Sequence, residues 1–586
     1  MGVKSTYAVA ALLTLGALGC SGHGGGGGGG SNFSGATGAS GSTAATYHLS
    51  VTTQPATPLA GDPVAITVAV VDNNNNAAAV ASGATVTITG ATVGLQPRAA
   101  TGTFSAGVSA VTVSARIATV GTYTLNITCN TNATPGVLTA NPTLIVGDHA
   151  YQNTTTAEVQ IDAGGPGIGG FAFASLAAVD SQVACTFCDE RLQGMSHVFV
   201  NGSVNGGGSF TGALQVDHAP GGTDCWDASA AVNGTGLLAV AWCDERGLPD
   251  GQVFANVSAN NGTTFGADVR VDAAASRTGP CSSTQTAVAG GNIYVAWIDQ
   301  RDTTGQMVYV AGSANGGQSF SELRLDGHTA GSSPWSVAAP ISLAASGGDV
   351  CVLWTEQQGN TTNVVIASSQ NGGATFGRAT LNTVPTAHVF DAQLVASGGA
   401  LYAAWRDDRL GPATSVFTSA SQDGGATWGG EVSIPFGAAK TQLSALSVAA
   451  AGANVFVFAG AQDQGASQVT PESAVSLDAG STFQPAGTLP QGTTDSVRVP
   501  QAGAQGGAVF ASWNEVTYTS GERGALATGG TYAFGTAAKI STGAAPDGLF
   551  ARSRAVAATG GRFYILWEEA RGTPSSPYNL RLVVAQ

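Results

Sequence analysis

An internal repeat constrains this chain more than any other feature. A run of apolar residues ends in an aromatic, an acidic residue follows two positions later, and Arg often stands two beyond that. The element reads Phe187-Cys188-Asp189-Glu190-Arg191, Trp242-Cys243-Asp244-Glu245-Arg246 and Trp297-Ile298-Asp299-Gln300-Arg301, then Trp354-Thr355-Glu356 and Trp405-Arg406-Asp407-Asp408-Arg409. After a degenerate copy at Phe458 it returns as Trp513-Asn514-Glu515 and Trp567-Glu568-Glu569-Ala570-Arg571. Successive aromatics lie 55, 55, 57, 51, 53, 55 and 54 residues apart. Units of that length cannot bury their own apolar faces, so such a period specifies like units packed on one another. Residues 156–586 divide into eight of them, each about 54 residues long.

Composition narrows the choice further. Charged residues make up 10% of the 586, against 84 Gly, which leaves too few charges for a coiled coil. A net charge of −15 argues against a nucleic-acid partner, whose phosphates need a basic surface. After residue 20 no apolar run approaches the ~18 residues of a membrane span. What remains is a Gly-, Thr-, Ser- and Val-rich chain with strand-length apolar runs, and it reads as all-β.

A second element trails the first by about 16 residues, with the pattern Ser-x-Asn/Asp-x-Gly-x-Ser/Thr-aromatic. Its copies run Ser203 to Phe210, Ser258 to Phe265, Ser313 to Phe320, Ser369 to Phe376, Ser421 to Trp428 and Ser476 to Phe483. A degenerate copy lies near Thr528 to Phe534. The pattern resembles the Asp-box, or BNR repeat, of sialidase-like β-propellers. Its chemistry is structural: Asn205, Asn260, Asn315, Asn371, Asp423 and Asp478 would each cap their own turn, with Gly at the positive-φ position. The resemblance implies four-stranded antiparallel sheets arranged radially.

The repeat count and the chain ends together predict eight blades, although sialidases themselves have six. Each box is followed by a short strand ending in Asp, as in Val269-Arg270-Val271-Asp272 and Leu323-Arg324-Leu325-Asp326, and the same pattern occurs early as Val159-Gln160-Ile161-Asp162. Ring closure explains the early copy: residues 157–162 would complete the last blade beside Leu580 to Ala585. In a four-stranded meander the boxes then lie on one face. The acid-x-Arg elements lie on the other, over the axial channel, where propeller ligands usually bind. The pairs Asp189/Arg191, Asp244/Arg246, Asp299/Arg301, Asp407/Arg409 and Glu569/Arg571 recur at equivalent positions, which favours a bracing role over a single binding site.

The remainder of the chain reads as an exported leader and a spacer. Lys4 precedes an apolar stretch from Tyr7 to Leu18, too short to span a bilayer. Ala17-Leu18-Gly19-Cys20 resembles a bacterial lipobox, which implies a signal peptide over 1–20 and lipidation of Cys20. An ordinary secretory signal is the competing reading. Residues 21–45 are a Gly/Ser-rich flexible tether, including seven consecutive glycines from Gly24. Residues 46–150 alternate apolar and polar in short runs, as in Val64 to Val70 and Tyr123 to Ile127, which suits a small sandwich. Gly121-Thr122-Tyr123-Thr124-Leu125 resembles bacterial immunoglobulin-like domains. Such a module should enter the ring beside the box face.

Two cysteine pairs share one internal offset, which suggests the disulfides Cys188–Cys225 and Cys243–Cys281. Cys129, Cys185 and Cys351 are left over as buried thiols. The CxxC at Cys185–Cys188 lacks the His spacing of a zinc site, and no calcium-loop spacing is present, so no metal and no cofactor are expected.

Whether the resemblance extends to catalysis turns on a few residues. Sialidases share an Arg-Ile-Pro or Arg-Leu-Pro motif, an arginine triad, a Tyr/Glu nucleophile pair and an Asp acid. The near match here is Val497-Arg498-Val499-Pro500. Arg552 and Arg554 begin the next blade, and Glu515, Tyr518, Glu568 and Glu569 complete the set of weak candidates. Arginines can clamp an anionic sugar and carboxylates can serve glycoside chemistry, yet no ordered triad is readable, and Arg498 has a competing partner in Glu515. The sequence therefore favours a surface-anchored, non-catalytic recognition or scaffold lipoprotein of the bacterial cell envelope. It would be a monomer held to the membrane only by its lipid, with glycans or envelope proteins as partners. A sialidase-like glycoside hydrolase and an inert envelope protein are the alternatives.

Overall fold

The structure, a computed structural model, describes residues 33–35 and, apart from connecting stretches of which 163–173 is the longest, 47–586. Cys20 lies outside the described residues. The architecture is all-β, multi-sheet and propeller-like.

Residues 47–147 fold as two sheets over one core. One carries Tyr47–Gln54, Pro63–Asp72, Ala110–Ile117 and Leu95–Gln96, and the other Thr143–Val146, Gly121–Asn130, Thr85–Gly90 and Ala99–Thr103. Period-2 burial along these strands sends Leu49, Ile66, Val68, Ile88, Leu125 and Ile127 into the shared core. Within the Gly/Ser-rich stretch 21–45 one segment joins this module. Phe33–Gly35 pairs antiparallel with the first strand of this module, Phe33 opposite Val51. The open backbone groups of an edge strand provide the template for that addition.

The remainder forms eight four-stranded antiparallel sheets among the described residues. Seven are sequential meanders, beginning with Ala174–Val179, Gln182–Leu192, Met195–Ser203 and Leu214–Gln215. The eighth is composite: Ala551–Thr559, Arg562–Ala570 and Tyr578–Ala585 take Val159–Gln160 as their fourth strand. Val159 stands opposite Leu582, and the N–H groups of Ile161 and Thr156 donate to the carbonyls of Leu580 and Val584 at 2.9 and 2.8 Å.

Second strands such as Leu238–Asp244 and Asn292–Asp299 are buried on both faces, and for that reason they read as continuous apolar runs rather than alternating ones. Each face belongs to a different core. Trp242 packs with Val198 and Val200 of the first sheet, Trp297 with Val253 and Ala255 of the second. Phe187 and Val183 of the first sheet pack with Tyr564, Leu566 and Leu582 of the eighth.

The innermost strands lie side by side, the last against the first. Side chains stitch their edges. Ser229 and Thr286 hydroxyls meet at 2.7 Å, Gln393 Nε2 donates to the Leu446 carbonyl at 2.7 Å, and the Asp180 N–H donates to Thr559 Oγ1 at 2.8 Å. Together these strands line a cavity of about 710 Å³, walled mainly by Ala, Gly, Val and neutral polar residues.

The 47–147 module sits over one mouth of that cavity. Arg116 forks onto Asp180 and donates to the Gly61 carbonyl at 2.8 Å, while Tyr151 Oη donates to the Gln505 carbonyl at 2.8 Å. The Gly506 N–H donates to the Ala118 carbonyl at 3.2 Å. These contacts reach turns between first and second strands, on the side where Gly206 of the first box donates to the Ser181 carbonyl. The acid-x-Arg end faces away from the module.

Ile161, fully buried in the core shared by the first and eighth sheets, tests the composite sheet. Ile161→Ala should destabilise the chain by about 2–5 kcal/mol. Urea denaturation of the variant beside wild type measures it; a change near zero would mean that residues 159–162 are not anchored there.

Candidate functional site

The box turns are self-contained. In the first, Ser203 Oγ donates to Asn205 Oδ1 at 2.9 Å, Asn205 Oδ1 accepts the Ser209 N–H at 2.9 Å, and Ser203 Oγ accepts the Gly207 N–H at 2.9 Å. The same bonds recur at Asn260, Asn315, Asn371, Asp423 and Asp478. Gly207 has φ +81°, and a Cβ there would meet Val584 Cγ2 at 2.6 Å. Its turn therefore seats against the eighth sheet, and its capping groups are bonded within the turn.

On the opposite face the repeated acid is locked in a composite clamp. In the second sheet Trp242 Nε1 donates to Asp244 Oδ2 at 3.1 Å, Arg246 binds the same carboxylate, and its guanidinium lies 4.2 Å over Phe254. Arg246 Nη1 also meets Asp268 at 2.7 Å. The third and fifth sheets repeat the arrangement with Trp297, Asp299, Arg301 and Glu322, and with Trp405, Asp407, Arg409 and Glu431. In the first sheet Arg191 binds Asp189 and donates to the Asp162 carbonyl at 3.0 Å.

The fourth sheet inverts the charge. Glu356 has no Arg two positions on, and Arg378 from the outer strand supplies the cation instead. In the eighth sheet Arg581 lies 3.6 Å from Glu569 and 3.4 Å from Glu158. Glu158, Asp268, Glu322 and Arg378 all stand four residues before the Asp or Asn that ends the outer strand. That alignment could have revealed these partners from the sequence alone.

The candidates for catalysis sit at this same end of the seventh and eighth sheets. By backbone register Arg498 stands opposite Asn514 and Glu515 opposite Val497, while Arg552 stands opposite Glu568 and Glu569 opposite Ala551. Arg554 falls at the irregularity between Ser553 and Ala555. Tyr518 and Arg571 lie outside the described residues. Glu568 and Glu569 are fully buried, and Trp567 Nε1 donates to Glu569 at 3.2 Å. Glu522, also fully buried and opposite Asn514, was not singled out from the sequence. Among the described residues no group of three or more His, Cys, Asp or Glu is arranged to hold a metal ion.

The expected disulfides are not formed: Cys188, Cys225, Cys243 and Cys281 are all thiols. Each proposed pair does share a core, Cys188 with Cys225 and Cys243 with Cys281. There the sulfurs act as small apolar groups, and Cys225 Sγ donates to Asp244 Oδ2 at 3.5 Å. Burial pushes the Cys188 thiol up to about 12, which suppresses the reactive thiolate. Cys129, Cys185 and Cys351 are buried thiols as well.

No protein-family model matches the chain, and no curated protein does. Solved structures of similar fold include an α-L-arabinanase from Penicillium chrysogenum (16% identity, 50% of this chain and 90% of that one, TM-score 0.31). A polysaccharide lyase of family PL25, an ulvan lyase, shows 12% identity over 64% of this chain and 96% of its own, at a TM-score of 0.40. The sialidase of Trypanosoma rangeli shows 12% identity over 71% of this chain and 55% of its own, at a TM-score of 0.33.

Two predictions follow from the clamps. Arg246→Ala strands the fully buried Asp244 and should cost about 3–5 kcal/mol in urea denaturation. The second concerns acid. Burial raises Asp268, but hydrogen bonds from His218 and Arg246 outweigh it and hold the carboxyl below its usual range. Glu431 is likewise lowered, with Arg409 and Thr383 prevailing over burial. Depressed folded-state values contribute stability that is present above the unfolded values of about 4 and lost as pH falls through the folded ones. Urea midpoints of Asp268→Asn and Glu431→Gln should therefore fall less steeply than wild type below pH ~4.

Proposed function

We propose that the eight sheets are the blades of one closed propeller, that the 46–150 module is an immunoglobulin-like sandwich, and that the chain is a glycan-directed protein of the sialidase-like kind. Its working end is that of the seventh and eighth sheets, on the face turned away from the boxes. The observation that carries this reading is an excess of charge there beyond what the repeated clamp uses. In the second, third and fifth sheets the clamp uses two acids and one Arg. These two sheets add Glu522 and Glu568, both fully buried, and place Arg498, Arg552 and Arg554 at the starts of adjoining innermost strands.

The chemistry suits glycoside hydrolysis. Guanidinium groups fork onto the carboxylate of an acidic sugar. A pair of carboxyl groups flanking the glycosidic bond supplies the acid for the leaving oxygen and the base or nucleophile for the anomeric carbon. Glu568, with Arg552 across the strand pair, is the first choice for one of these roles, and Glu515 for the other. The clamps in the first five sheets favour a second reading, recognition without turnover, because they spend most of the charge of this face on bracing. Export, a lipid on Cys20 and an envelope location complete the proposal.

A fluorogenic sialoside and a panel of other 4-methylumbelliferyl glycosides test the reading. Turnover by the wild type is expected to fall at least about 100-fold in Glu568→Gln and in Arg498→Ala. It should persist in Asn205→Ala, whose box lies on the other face. Absence of turnover on every glycoside, alongside retained binding on a glycan array, would replace hydrolysis by recognition; failure of both would overturn the glycan reading.

A further inference from the structure

We infer that Phe390, at the start of the innermost strand of the fifth sheet, is a stacking platform for a neutral sugar ring. This rests on the glycan-directed reading above and adds a subsite to it. Phe390 is the residue at which the pairing of Val389–Ser397 with Ala400–Asp407 slips: Val389 stands opposite Asp407 and Asp391 opposite Arg406. A bulge of this kind re-aims one side chain out of the regular alternation. The ring is 44% exposed, whereas Val389 before it and Ala392 shortly after are buried. It sits at the end of the sheet that faces away from the 47–147 module.

The ring is also held in place. Arg406 lies 5.0 Å from its centroid and is itself fixed by Asp391 at 3.0 Å and by the Leu443 carbonyl of the next sheet. The His388 ring approaches edge-on at 4.7 Å and 64°, and the His388 N–H donates to Asp408 Oδ1 at 2.8 Å. An aromatic fixed by its neighbours loses little freedom when a ligand lands on it.

The surroundings define the ligand. An exposed aromatic face rimmed by hydrogen-bonding groups matches a pyranose, which has an apolar C–H face and a rim of hydroxyls. Asp391 is neutralised by Arg406, and Asp408 is the carboxylate left to accept hydroxyl hydrogen bonds and to repel an anionic sugar, so the fitting ring is a neutral one. A purely apolar partner would leave that carboxylate desolvated without compensation.

Isothermal titration of the full chain with xylohexaose, cellohexaose, mannohexaose and arabinohexaose tests the platform. At least one should bind, Phe390→Ala should weaken that affinity at least about tenfold, and Phe390→Trp should retain it. Because the side chain is exposed, thermal melting should show Phe390→Ala folded as the wild type is. Binding of none of the four sugars, or equal binding by Phe390→Ala, would overturn the proposal. The turnover assay separates the two claims: activity with Phe390-independent binding removes only the platform, and Phe390-dependent binding without activity removes only hydrolysis.

Discussion

The second strand of each repeat is apolar on both sides, and the rest of the structure depends on this. Such a strand must be covered twice, so no sheet is complete without a neighbour on each face. Trp242 and Trp297 lie in successive cores between sheets, and Phe187 lies in the core that the first sheet shares with the eighth. Sheets that need two neighbours form a linear array with two exposed ends or one that returns on itself. Tyr564, Leu566 and Leu582 pack against Val183 and Phe187, so the first and eighth sheets share a core.

Within that frame, polar groups serve geometry before chemistry. The innermost strands carry edges that would leave backbone groups open, and Ser, Thr and Gln side chains from the adjoining sheet bond to them. At the other end of each second strand the buried carboxylate would be costly alone. The Trp indole, an Arg guanidinium and an outer-strand partner surround it. The inversion in the fourth sheet, with Glu356 held by Arg378, shows that the requirement is compensation of the buried charge and not one particular residue order.

This division bears on where function can sit. Charges closed into clamps are committed to holding a sheet end rigid. The seventh and eighth sheets carry more charge than the clamp requires, and the fifth exposes an aromatic where neighbouring residues are buried. With one mouth of the central cavity covered by the 47–147 module through Arg116 and Asp180, the opposite face is the side left for a large ligand to approach.

The sequence by itself determined the all-β class, the number of repeated units, the box turns and the early strand that completes the last sheet. Each follows from local patterning: a period near 54 residues, Ser-x-Asn/Asp-x-Gly turns whose bonds close within a few residues, and Val159-Gln160-Ile161-Asp162 matching later outer strands. Tertiary structure alone decided the matters that depend on residues far apart in the chain. The fully buried state of Glu522 and the exposure of Phe390 depend on strand register and a bulge, which residue periodicity does not encode. The cysteine pairing was half legible. The repeat offset brought Cys188 to Cys225 and Cys243 to Cys281 in shared cores, while the bond itself did not form, because offset specifies neighbourhood and not the approach of two sulfurs.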